Sequence, residues 1–420
     1  MRVDKGILFP KFGEIFDKTF LSFRNFVNKK TKKFDSKWGD MIYAVSLIVF
    51  IITSIIVGYF VYANTVDNYA IRVIRFGAVL AAVLKIIVFD LRKYTTKRML
   101  IVLAVFLVVL ISTLVSSSKK IPLYTIVMII AAYGVDFKKL LRTVFVWETF
   151  LVIMIILLSI LGVIPDRLFS RGDIVRHSLG FKYCIYASAF YFCIVCMYLY
   201  LRRDKIKIWE CLFIILPALI LYLLTNTRLE FGLTVLVTVW FFIYQRWPRE
   251  AHKKAVRIIA LASVPFALIF SLFSVQFYNP DNSIWAIMNR FSSDRLALSS
   301  EMFNEYGISL FGKDIEWVGL SQIYEGNGDI QDFNAVDNLY LRLLIENGLL
   351  VLLVFAFGQY MLAREAIKRD DYYLQFIAIM FVCYSMLNPN TYELFRDPFL
   401  LLLGGAVIST GTKRDRNGKK

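Results

Sequence analysis

Asp337-Asn-Leu-Tyr-Leu-Arg342-Leu-Leu-Ile-Glu346-Asn-Gly348 marks the return of this chain from a polar interval, Tyr278 to about Val336, into an apolar helix. That interval is the only long polar one between apolar runs of membrane length, and this decides how the rest is read. A water-borne or headgroup-borne partner has one long surface to meet, and most other segments read as its support. Asp337 and Asn338 sit at the seam of loop and helix, where a carboxylate can meet a lipid-linked substrate. The plainer alternative is that they cap the helix.

Outward from this seam the chain is apolar in both directions. Its 420 residues are 58% hydrophobic, with mean hydropathy +0.61, whereas soluble domains average about 45–50% apolar. The expected fold is all-α, a polytopic membrane protein with one long extracytoplasmic loop containing an interfacial helix. Runs of spanning length, about 17–25 residues, fall at 41–63, 69–89, 98–116, 120–136, 143–164, 182–200, 207–225, 229–246, 256–277, 338–362, 371–387 and 395–411. That gives about twelve helices. The chain divides into a basic segment 1–40, nine helices over 41–277, the outer loop 278–337, three helices over 338–411 and a basic tail 412–420. Lys85, inside the second run, is unpaired in sequence.

The formal charge of +17 would suggest nucleic acid in a soluble chain. Here the basic residues gather between apolar runs, which is the pattern that sets membrane orientation. With the N-terminus inside, the inner connections carry Arg92-Lys93 with Lys97-Arg98, Lys138-Lys139, Arg202-Arg203 with Lys205, Arg249 to Lys254, and Arg364 to Arg369. Both termini are then cytoplasmic. Residues 1–40 space Phe9, Phe12, Phe16, Phe20, Phe23 and Phe26 three and four apart, which predicts an amphipathic helix lying on the inner membrane surface. No small-residue cleavage site follows the charges, so the segment reads as an anchor and not as a signal peptide.

The informative charges are those that break the orientation rule. Arg167, Arg171, Arg176, His177 and Lys182 lie between the fifth and sixth runs. Arg228 follows in Thr225-Asn-Thr-Arg-Leu-Glu230; Arg290 and Arg295 lie in the long loop, Arg342 on its return, and Arg72 and Arg75 near the outer end of the second run. Arginine suits paired contacts to phosphate or carboxylate. Taken singly, each could make a headgroup contact or a local ion pair, with Arg228–Glu230 and Arg342–Glu346 the obvious pairs. Together they fit an anionic, membrane-embedded substrate. The two phosphates of a polyprenyl diphosphate need several cations, and neutralising a leaving diphosphate activates it. A sugar hydroxyl needs a base, and Asp337 is the best-placed acid; Asp294, Asp314, Glu316 and Asp332 share the loop. Five cysteines lie in apolar runs, and Cys193-x-x-Cys196 reads as packing. His177 and His252 have no visible third ligand, so neither a metal nor a cofactor is expected.

In these residues the chain resembles the O-antigen polymerase and ligase superfamily, most closely the capsular and exopolysaccharide repeat-unit polymerases of Gram-positive bacteria. Arg290-Phe-Ser-Ser-Asp-Arg295-Leu, Tyr306-Gly-Ile-Ser-Leu-Phe-Gly312, and Asp337-Asn-Leu-Tyr340 with Glu346-Asn-Gly348 carry the resemblance. Arg228 and the stretch Arg171 to Gly180 fit the same pattern. It spans roughly residues 100–410. It implies metal-independent transfer of a glycan from undecaprenyl diphosphate to an incoming lipid-linked repeat unit at the outer face of the bacterial cytoplasmic membrane. Asp337 would be catalytic, and Arg171, Arg176, His177, Arg228, Arg290, Arg295 and Asn338 would bind substrate. Superfamily ligases usually carry His-Asn where this chain has Asp337-Asn338, which favours a polymerase. Implied partners are lipid-linked oligosaccharides, membrane lipids and other assembly proteins such as a chain-length regulator or flippase, with no nucleic acid. A ligase acting on a cell-envelope acceptor and a flippase of lipid-linked sugars are the alternatives.

Overall fold

The structure is a computed structural model and describes residues 8–31, 36–62, 68–116, 120–246, 249–292, 294–319, 323 and 333–406. It is mostly helical. The first half contains α1 (Leu8–Thr31), α2 (Ser36–Tyr59), α3 (Asn68–Lys85), α4 (Thr96–Val115), α5 (Ile121–Ala131) and α6 (Phe137–Ile160). An antiparallel hairpin follows, with β1 (Leu168–Arg171) paired to β2 (Ile174–His177) and Phe169 opposite Arg176. Next come α7 (Tyr186–Arg202), α8 (Ile208–Thr225), α9 (Arg228–Tyr244) and α10 (Arg249–Gln276). The polar interval holds α11 (Ser283–Phe291) and α12 (Arg295–Tyr306). The chain then forms α13 (Leu339–Arg342), α14 (Leu349–Lys368), α15 (Tyr372–Ser385) and α16 (Leu402–Ala406).

Among the described residues six helices are long and apolar enough to cross a membrane: α2, α4, α6, α8, α10 over Lys254–Gln276, and α14. Their outward faces are apolar; α8 exposes Trp209, Leu212, Phe213 and Leu216, as hydrocarbon cover requires. At the centre stands α7, buried along nearly its whole length. Ala187, Ser188, Ala189, Cys193 and Cys196 are small, which lets its neighbours approach closely. The cysteines are free, and Cys193 donates to the carbonyl of Arg396 at 3.0 Å.

Two ends of the bundle differ in chemistry. At one, Arg203 pairs with Asp371 at 2.7 Å, Tyr373 donates to Asp204 at 2.6 Å, Gln245 bonds the backbone of Ile206, and Lys93 lies over the ring of Tyr133. These contacts gather connections predicted to be inside. α1 lies against the same end, burying Phe20 and Val27 with Leu91 and Tyr94 while Phe23 and Phe26 stay exposed; the side chains of Phe9, Phe12 and Phe16 lie outside the described residues. At the other end Val61 bonds Gly180, Lys182 bonds Tyr59, Arg176 bonds the Thr225 carbonyl, and Ser300 bonds Val275. These are the connections predicted to be outside.

Several elements differ from expectation, each for a local reason. Lys85 is not alone: it pairs with Asp90 at 2.6 Å and donates to the carbonyls of Ala131 and Tyr133. The predicted surface helix 283–306 is two helices, broken where Asp294 adopts φ 65°. The run 338–362 is interrupted by a π-helical turn, Leu343–Asn347, and by Gly348 at φ 89°. The last run, 395–411, is helical over Pro398–Leu401 and Leu402–Ala406, and 407–411 lies outside the described residues. Before it, residues 388–397 carry no regular helix, although Asn388, Thr391, Glu393, Arg396 and Asp397 are all buried.

Candidate functional site

The seam residue Asp337 meets Arg295, the first residue of α12, at 2.8 Å, with side chains 36% and 39% exposed. The pair is therefore open to a ligand. Arg295 also approaches the carbonyl of Leu387 at 3.4 Å and lies within electrostatic reach of Glu230. With five N–H donors, one guanidinium can hold Asp337 and a second anion together.

Arg176 enters from the hairpin. It is buried, its Nε donates to Thr225 at 2.7 Å, and its guanidinium lies 6.0 Å from the ring centroid of Tyr183. Arg176 and Tyr183 are thus neighbours, at the same end of the bundle as the Asp337–Arg295 pair. Tyr183 itself lies in the turn before α7, its ring edge to face with Phe169 at 4.9 Å. Tyr186 packs edge to face on Tyr59 at 4.6 Å, with the Arg396 guanidinium 5.5 Å from its ring centroid.

The other predicted residues are placed differently. His177 is bonded through Nδ1 to Asp166 at 2.6 Å, which fixes the hairpin base. Asn338 is the N-cap of α13, accepting from Tyr340 and Leu341 and donating to Ser271 at 2.8 Å; its side chain is occupied by the fold. Arg228 is exposed at the start of α9 and makes no ion pair among the described residues, so the Arg228–Glu230 pair is absent there. Glu230 instead is buried beside Tyr384. Arg290 is exposed in the last turn of α11. Arg171 pairs in register with Ile174, and its side chain lies outside the described residues. Asp294 accepts from Asn289, Asp314 and Glu316 are exposed, and Asp332 lies outside the described residues.

The return motif is held by backbone. Arg342 pairs with Glu346 at 3.0 Å, as its spacing predicts, and Trp317 donates to the same carboxylate at 2.9 Å. Gly312 and Gly348, both at positive φ, lie against each other: a Cβ on Gly312 would overlap the carbonyl of Glu346, and one on Gly348 would overlap the Gly312 nitrogen and Leu310 carbonyl. Leu349 donates to Ser309 at 2.8 Å across this contact. The two glycine motifs thus meet and fix the loop to the seam.

Sequence reading missed the buried return segment Asn388 to Asp397. Glu393 accepts from Tyr59, and the Arg396 guanidinium lies 4.0 Å from the Phe190 ring and 4.6 Å from that of Tyr59. Arg396 Nε and Nη1, Asp397 Oδ2 and both carboxyl oxygens of Glu148 are buried without a hydrogen-bond partner. The available signal was Asn388-Pro-Asn390 and Asp397-Pro398 framing polar residues at the start of an apolar run.

Fold and site define a multi-pass membrane protein of apolar helices, with an arginine- and acid-bearing group at the end opposite its basic connections. No protein-family model, curated protein or solved structure matches the chain.

Proposed function

We infer that the protein is a polysaccharide polymerase of the O-antigen polymerase and ligase type, working at the outer face of the bacterial cytoplasmic membrane on undecaprenyl diphosphate-linked glycans. The reading rests chiefly on the exposed Asp337–Arg295 pair, with the buried Arg176 at the same end of the bundle. Asp337 takes the proton of an acceptor sugar hydroxyl, whose oxygen attacks the anomeric carbon of the donor glycan. The bond from that carbon to the diphosphate breaks, and Arg295 and Arg176 meet the charge on the departing lipid diphosphate. In this reading all twelve apolar runs cross, with both termini at the basic, cytoplasmic end.

Asp337→Asn keeps the size of the side chain and removes the base. With purified protein in vesicles and lipid-linked repeat units, chain growth is expected to fall by about 10²–10⁴-fold while insertion and yield are unchanged. Full-length polymer from the variant would remove Asp337 from this role.

One observation favours a second reading, a transporter of lipid-linked oligosaccharide. Such proteins place charges on interrupted helices within the membrane, and the buried Arg396 and Asp397 on the irregular return segment have that character. The readings separate on the substrate's fate: a polymerase-null cell accumulates single repeat units at the outer leaflet, a transporter-null cell at the inner one.

A further inference from the structure

At the basic end, the connection from α7 to α8 and the residues that follow α9 line an open groove of about 660 Å³. Arg202, Lys205 and Lys207 line one wall and Arg246 the other; Gln245, bonded to the backbone of Ile206 by both its amide oxygen and nitrogen, fixes the floor. Nearby at this end Arg203 and Arg257 pair with Asp371 and Asp370, and Lys368 and Arg369 with Glu365. In the groove only Arg202 is matched, to Glu210 at 2.7 Å. Lys205, Lys207 and Arg246 make no ion pair among the described residues. Asp204, the one acid in the lining, accepts from Tyr373.

Two further features give the groove a direction. α8 begins at its edge, where the backbone N–H of Lys207 donates to Glu210, so the positive end of an 18-residue helix faces the cations' side. Beyond the rim the surface is apolar: Ile208, Trp209, Leu212 and Phe213 are all exposed, with Trp209 and Phe213 edge to face at 5.9 Å. A charged basin thus opens onto a hydrocarbon track, which is the outline of a lipid.

We propose that this groove binds the phosphate of an anionic phospholipid, with the acyl chains lying along the exposed face of α8. Lys205, Lys207 and Arg246 hold the headgroup, and Trp209 stands at the boundary between headgroup and chains, where amphipathic rings settle. Each cation near a membrane surface adds about a fivefold preference for anionic lipid. The site is independent of the chemistry proposed at the opposite end.

The test uses the full chain in phosphatidylcholine nanodiscs containing phosphatidylglycerol or phosphatidylcholine with brominated acyl chains, which quench nearby indoles. The Trp209 signal is the difference between the protein and its Trp209→Phe variant. Brominated phosphatidylglycerol is expected to quench it severalfold more than brominated phosphatidylcholine at equal mole fraction. The preference should weaken with salt, vanish in the Lys205→Gln, Lys207→Gln, Arg246→Gln triple variant, and persist when both lysines become arginine. Equal quenching by the two lipids overturns the proposal, and so does a triple variant that folds and keeps the preference. Displacement of phosphatidylglycerol by inorganic phosphate also overturns it, because the groove would then recognise the free ion. Should the triple variant not fold, native mass spectrometry of the unmodified protein decides: retained phosphatidylglycerol supports the site, and indifferent lipid retention removes it.

Discussion

Gly348 and Gly312 show how much a single missing carbon can carry. Each sits at positive φ, 89° and 96°, with another stretch of backbone where a side chain would begin. Alanine at either position strains its own backbone and drives the loop off the start of α14. Gly348→Ala is expected to cost roughly 1–3 kcal/mol, seen as a lower unfolding temperature in detergent. Gly58→Ala in α2, which meets nothing within 4 Å, should leave that temperature unchanged or raise it. Equal behaviour of the two variants would refute the clasp. The need for glycine was invisible locally, since nothing in Gly348's neighbours announces that Leu310 will lie against it.

At the level of the element, Asn338 is the case in which two readings of one residue can be separated. Its oxygen caps α13 and its nitrogen reaches Ser271 on α10, so it ties the seam to a long helix. Asn338→Ala should lose about 1–2 kcal/mol of stability, and Asn338→Ser should recover much of it by keeping an acceptor for the cap. If substrate contact were its main role, the serine variant would stay inactive at normal stability; activity that tracks unfolding temperature across both variants marks a cap.

Helices proved legible here because apolar runs of membrane length have few other solutions, and Arg342–Glu346 was legible because four residues is one turn. Less legible was everything that depends on non-local contact. Arg176 is held by the carbonyl of Thr225 and lies beside Tyr183, neither of which carries a charge to draw notice. Arg228 and Arg290 shared the arginine pattern yet are exposed and make no ion pair among the described residues. The segment 388–397 read as a short connection followed by a span because Leu394 and Phe395 are apolar; Tyr59 of α2, bonded to Glu393, and Cys193 of α7, bonded to the Arg396 carbonyl, lie in no window of sequence around it.

For the whole molecule, the separation of basic and arginine-acid ends is the feature with the widest reach. If the basic end is cytoplasmic, a cysteine at Lys205 should react with a membrane-impermeant thiol reagent only after the cells are opened, and one at Asn279 in intact cells. The native cysteines are a modest background, four of five being buried. The reverse labelling would invert the orientation and move the proposed chemistry to the cytoplasmic side.

The Lys85 contacts also bear on how the chain is made. Asp90 follows within five residues, but the carbonyls of Ala131 and Tyr133 lie 46 and 48 residues further along. During translation α3 therefore leaves the ribosome with its ammonium group half-served, and α5 completes the set only on emerging later. The two helices are one unit of biogenesis, and a chain stalled between them would hold α3 at the insertion machinery instead of releasing it into lipid.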